Sequence, residues 1–223
     1  MFAQEKEALT PVPFSQSPYL IGERLTYNVS FSNFPSAAHV EVEVVSRGVH
    51  LGRDAIQLRG HVETNGVVNV ALFAINNDYI TYVDPGTGLP FHSQESARDA
   101  IKTADSAEDF NQPAGNEAIP PKQKGFPGTY DFISGFYRVR ALPLAEGAVY
   151  NLSVSGESTD YQAELKVVGK DVIRTNVGSF PTIVTQIRVN NSSVKNVRAY
   201  FTDDERHVPV LITARVSGGE LRA

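Results

Sequence analysis

Strict alternation of apolar and polar residues constrains this chain more than any other feature. In Arg24–Phe31, the residues Leu25, Tyr27, Val29 and Phe31 alternate with Arg24, Thr26, Asn28 and Ser30. A period of two separates a buried face from a solvated one only when the backbone is a strand. The period returns in His39–Val45, where Val40, Val42 and Val44 face one way and Glu41 and Glu43 face water. Asp54–His61, Tyr79–Val83 and Leu89–Glu95 continue the series, the last two joined by the turn Asp84-Pro85-Gly86-Thr87-Gly88. The stretch Arg198–Val216 repeats that logic. An apolar strand runs into an acidic turn at Asp203, Asp204 and Glu205, and Pro209 restarts a second apolar strand. Asp, Pro and Gly supply the backbone geometry of such turns.

The second half replays the first in order. Glu146–Ser153 echoes Ile21–Ser30, Ala163–Gly169 echoes Val40–Ser46, and Phe180–Asn190 echoes Asp54–His61. The closing hairpin echoes the one at Tyr79. The expected fold is all-β and mainly antiparallel, a pseudo-duplicated curved sheet or a barrel or clam, with one short helix near 130–141. Residues 1–18, with Pro11, Pro13 and Pro18, read as a flexible lead. Residues 19–223 read as a single β-rich domain. Its halves, 19–95 and 144–218, are joined by a loop over 96–129 and the helix. The 17 Gly and 13 Pro of the 223-residue chain punctuate its strands as this reading requires.

The helix expectation rests on Asp131 as a cap and on Phe132, Ile133, Phe136, Tyr137 and Arg140 at helical spacing, with Pro143 ending it. Gly135 within it marks close packing onto a sheet. Val67–Ile75 fits either a buried strand or a short helix across an open sheet end. A weak strand is expected to about Phe110, and then a mobile loop that either covers a ligand mouth or is disordered. Gly218–Ala223 reads as a new strand cut short.

Composition narrows the function classes. The net charge of −5 argues against nucleic acid or an anionic membrane surface as a primary partner, leaving room only for local basic patches. With no cysteine, disulfides, thiolate metal sites and Cys nucleophiles are excluded. No segment is long and apolar enough for a membrane-spanning helix. The start, Met1-Phe2-Ala3-Gln4, reads as what is left after removal of a secretory leader, with Met1 added; the alternative is a natural cytosolic start.

Several short motifs together resemble one family. They are Gly22-Glu23-Arg24-Leu25-Thr26-Tyr27; Tyr82-Val83-Asp84 with Leu89-Pro90; and the helical set Asp131, Ser134, Tyr137 and Arg140. Gly178-Ser179-Phe180 before Thr182-Ile183-Val184, and Thr202-Asp203-Asp204-Glu205-Arg206 with Pro209-Val210, complete the series. In this order they resemble the bacterial DUF3108 family, exported proteins of unassigned function, over residues 19–218. His207 stands where that family usually has a second basic residue, and Asn77 where an acid is common. The resemblance implies a periplasmic or extracellular location and a β-rich fold, and it implies no reaction.

The candidate sites divide by chemistry. Asp203, Asp204 and Glu205 invite a hard cation, but so short a loop cannot supply six oxygens. Asp203, Asp204, Arg206 and Pro209 are therefore read as a structural turn, with Arg206 pairing a neighbouring acid. The five histidines show no zinc spacing, so neither a metal nor a cofactor is expected. No Gly-x-Ser-x-Gly elbow surrounds a serine, and Ser134 reads as a helix serine against the sheet. The aromatics Phe73, Phe91, Phe132, Phe136 and Tyr137 are core residues or the lining of an apolar cavity beneath the helix. The functional expectation is a non-enzymatic cell-envelope protein that binds a lipophilic or extended ligand or serves as an interaction scaffold for another envelope protein. The alternative is a hydrolase of envelope polymers, which requires titratable groups with displaced pKa values in one cleft.

Overall fold

Alternation becomes a sheet once each apolar row finds its neighbour. A computed structural model describes residues 17–66, 74–98, 103–110, 128–155, 160–190 and 192–223. The first half of the chain forms β1 (Arg24–Phe31), β2 (Phe34–His50), β3 (Arg53–Thr64), β4 (Asn76–Val83), β5 (Pro90–Arg98) and β6 (Thr103–Asp109). The short β7 (Thr129–Tyr130) leads into helix α1 (Phe132–Arg140). The second half supplies β8 (Val149–Ser155), β9 (Asp160–Thr175), β10 (Gly178–Val189), β11 (Lys195–Thr202), β12 (Pro209–Val216) and β13 (Gly219–Arg222).

All belong to one 13-stranded sheet in the order β6-β5-β4-β3-β2-β1-β13-β12-β11-β10-β9-β8-β7. Each half is a six-strand antiparallel meander, and the two meet where β1 pairs with β13. The sheet is curved and not closed. Only β7 runs parallel to its neighbour, β8. The terminal strand expected at Gly218–Ala223 thus lies at the centre of the sheet, between β1 and β12.

Within residues 96–129, the weak strand expected to about Phe110 is present as β6. The segment holds the end of β5, all of β6 and the start of β7, because Ala97 and Ala104 find antiparallel partners in each other. Residues 111–127, the lead up to residue 16, and residues 67–73 of the ambiguous Val67–Ile75 run lie outside the described residues.

Helix α1 separates two cores. Ile133, Phe136 and Tyr137 pack with Val42, Val44, Ile56, Leu58 and Val83 of the first half. Val139, with Tyr130 before the helix and Leu142 and Leu144 after it, packs with Leu152, Leu165, Val167, Ile183 and Phe201 of the second. Asp131 caps the helix as expected and forms a capping box, its carboxylate accepting from the Ser134 amide while the Ser134 hydroxyl accepts from the Asp131 amide. Gly135 is not forced by close packing. A Cβ there would lie 3.6 Å from the Tyr130 Cβ, an ordinary contact. The close approach is at Gly60 instead, where a Cβ would meet the Ile133 Cδ1 at 2.7 Å. Glycine in β3 therefore lets the first turn of α1 rest on the sheet.

Candidate ligand cleft

The register of the first half determines which side chains face α1. One row runs Val42, Gly60, Tyr79, Glu95 and Ser106 across β2–β6, and the next runs Val44, Leu58, Thr81, Ser93 and Glu108. Both rows begin apolar at the sheet centre and end polar at the β6 edge. Because the outer positions are small or acidic, this concave face is not filled. A cleft of about 600 Å³ lies there, bounded by Val40, Val42 and Val62 on one side and Ile133, Phe132 and Phe136 of α1 on the other. Phe110 and Tyr79 add aromatic wall, and Ser93, Glu95, Ser106 and Glu108 form the polar end.

Phe132 and Phe136, expected as cavity lining, are both in this wall. Phe132 is 68% exposed at the mouth of the cleft. Two of the other expected lining residues sit elsewhere. Tyr137 is fully buried, because one step along the helix from Phe136 turns it into the first-half core. There its ring stacks at a tilt on Tyr19, with centroids 5.5 Å apart, and burial pushes its phenol well above the usual range. Phe91 lies towards the β4–β5 turn, in the register irregularity between Pro90 and His92, buried beneath the Arg53 guanidinium at 4.3 Å. Phe73 is outside the described residues.

Two buried polar groups line the cleft, and one of them, Ser155, was not singled out by sequence. Ser155, at the end of β8, is 4% exposed, and its hydroxyl has no hydrogen-bond partner among the described residues. Leaving such a group unmade costs about 1–3 kcal/mol, which a bound polar atom would recover. Asp131 is the other. Burial pushes its carboxyl up, and hydrogen bonds from Thr81 (2.6 Å) and Ser134 only partly offset this. Both of its oxygens are occupied by those donors, Oδ1 by Ser134 and Oδ2 by Thr81, so the displaced pKa belongs to a helix cap and not to a free acid.

A separate polar network holds the cleft in shape. Arg140, at the end of α1, donates to both Glu23 oxygens at 2.6 and 3.0 Å, and Arg206 donates to the same carboxylate. Burial alone would push the Glu23 carboxyl up, but the two guanidinium groups together outweigh it and hold the carboxyl below its usual range. Arg206 therefore reaches across the fold to Glu23, not to a neighbouring acid. Asp204 accepts from the Thr202 hydroxyl and the Arg206 amide, and Asp203 pairs with Lys170 at 2.6 Å. Asp203, Asp204 and Arg206 thus lie in a bonded turn, and Pro209 starts β12. The His207 Nδ1–H donates to the Arg140 carbonyl (2.9 Å), and Asn77 bridges the Tyr79 hydroxyl and the Arg98 amide. Among the described residues no group of three or more His, Asp or Glu converges as a metal site. Glu41 and Glu43 lie on the opposite face, both near Arg24.

The motif residues Glu23, Asp131, Ser134, Tyr137, Arg140 and Arg206, scattered along the sequence, thus gather around one helix. No curated protein matches the chain. In a crystal structure from Brucella abortus, a β-barrel-like protein of the domain of unknown function DUF1849 has a similar fold. The TM-score is 0.54 at 9% identity, covering 92% of this chain and 95% of that one. At that identity the likeness concerns the fold alone. The profile of the protein family of unknown function DUF3108 matches residues 26–223, most of the chain, and the protein belongs to that family.

Proposed function

We propose that the protein is a non-catalytic binding protein of the bacterial cell envelope, exported to the periplasm or cell surface, that holds a lipophilic ligand between α1 and β2–β6. The cleft itself carries this reading: about 600 Å³, with valine and phenylalanine walls and an exposed Phe132 at its mouth. That volume lies within the range of small-molecule sites, and an apolar lining with a few polar groups is their usual make-up. The unpartnered Ser155 hydroxyl and the polar ends of the β5 and β6 rows would orient a ligand with one polar end. Export is supported by the family resemblance.

Native mass spectrometry of the protein purified from its own host tests the proposal. A co-purifying lipid, bound one per chain and lost on Phe132→Ser or Phe136→Ser, is the expected result. Ligand-free protein that also fails to take up a fatty-acyl probe would overturn it. Absence of the protein from both the periplasmic extract and the surface-labelled fraction would overturn the location.

A further inference from the structure

The second half carries a depression on the sheet face turned away from the cleft, about 510 Å³ in volume. Register builds it. Gln186, Arg198, Thr213 and Arg222 lie opposite one another across β10–β13, and the row continues to Ser30 of β1. Two residues along, Arg215 opposes Glu220. Arg198 and Arg222 flank β12, which places their backbones about 10 Å apart. Three guanidinium groups therefore share this surface with a single carboxylate, Glu220, on a chain of net charge −5. Arg222 approaches Glu220 at 3.8 Å, while Arg198 and Arg215 form no ion pair with any described residue. Planar donors in that arrangement suit phosphate oxygens, and their mutual repulsion is relieved when an anion lies between them.

The depression becomes apolar at its other end, where Tyr200, Leu211 and Ile173 line it. Ile173 belongs to the β9–β10 hairpin, which exposes Val172 (57%) and Val177 (79%) and carries Arg174 beside them. The antiparallel order sends the β2–β3 turn to the same end of the sheet. That turn also exposes apolar side chains, Val49 (81%) and Leu51 (65%), next to Arg53, which lies over Phe91, and to Arg47, which pairs with Asp54. Apolar tips beside cationic groups match a bilayer interface, whose acyl boundary takes the one and whose phosphates take the other.

We infer that this face docks on an anionic phospholipid bilayer, with Arg198, Arg215 and Arg222 on lipid phosphates and the Val172–Val177 hairpin in the interfacial layer. The inference rests on the arginine row and the hairpin, independently of what occupies the cleft. It reverses the expectation from net charge, because binding to a surface is decided by the local patch within about a Debye length, roughly 8–10 Å.

Sedimentation of the full chain with vesicles tests it. Vesicles of three parts phosphatidylcholine to one part phosphatidylglycerol should retain the protein at low salt, with retention falling steeply at higher salt. Pure phosphatidylcholine should not retain it. The double variant Arg198→Gln/Arg222→Gln should weaken binding roughly 25-fold, about fivefold per arginine. Val177→Ser should weaken it several-fold with a smaller change in salt dependence. All of these positions are exposed, so unchanged melting confirms that the variants are folded. Equal retention by neutral and anionic vesicles, or undiminished retention of the double variant, would overturn the inference. So would saturable binding of glycerol phosphate without binding to vesicles, which would indicate a small-anion site instead.

Discussion

The two halves of the sheet present the same strand sequence to α1 with opposite results. In the second half a row across β9–β12 reads Val167, Thr185, Ala199 and Ile212, and Leu165, Ile183 and Phe201 close the space around it. In the first half the row across β2–β6 reads Val42, Gly60, Tyr79, Glu95 and Ser106, and the space stays open. One meander is packed solid as a platform, and its partner keeps a concave wall. A duplicated fold can divide its work this way because alternation specifies which residues face inward, whereas side-chain volume at those positions decides whether the interior is full.

The link between the halves should be the most sensitive point. Glu23→Ala leaves the buried Arg140 guanidinium without its carboxylate, and a loss of about 3–5 kcal/mol is expected in urea unfolding. A loss under 1 kcal/mol would mean that the halves hold together without this network. The same group sets an acid limb. The Glu23 pKa is lowered in the folded state, so its contribution is complete above the unfolded value near 4.5 and is lost as pH falls through the lower folded value. Wild type should therefore lose more stability between about pH 5 and pH 3 than Glu23→Gln does.

Truncation within each half sharpens the comparison. Leu165→Ala, in the filled half, should cost about 2–5 kcal/mol through the cavity it leaves. Val42→Ala, on the wall of the open half, should cost about 1 kcal/mol, because one side of Val42 already faces empty space. Equal costs would show that the first half is packed as tightly as the second. Asp204→Ala should lower stability by about 1 kcal/mol, through loss of its bonds to the Thr202 hydroxyl and the Arg206 amide. Ligand affinity per folded molecule should be unchanged; lost binding with an unaltered melting temperature would place the turn in the binding site. Phe132→Ser should have the smallest effect on folding, within about 0.5 kcal/mol, since the ring is exposed.

Much of the strand pattern could be read from local sequence because face and period are local properties. Leu25, Tyr27 and Val29 foretold β1, Asp84 and Pro90 the turn into β5, and Asp131 the helix cap. What escaped detection depends on strands distant in sequence. Glu23, Arg140 and Arg206 were each noted as resemblance motifs, but nothing local indicates that residues 117 and 183 positions apart share one carboxylate. Gly60 looked like any strand glycine until Ile133 was placed against it. Ser155 carries no motif at all, and only its burial without a partner draws notice. Helical spacing grouped Phe136 with Tyr137, yet the 100° between consecutive residues sends one to the cleft and the other to the core.

Binding at the open wall is the central claim, and the sequence offers a direct probe because the chain has no tryptophan. Phe132→Trp places a lone indole at the cleft mouth, and the variant can be titrated with a fatty acid brominated along its chain. Saturable quenching at one ligand per chain, abolished when Ser93→Leu fills the cleft in a variant that still melts cooperatively, is the predicted result. Quenching that does not saturate, or that persists unchanged in the filled variant, would contradict a ligand site between α1 and the first half of the sheet.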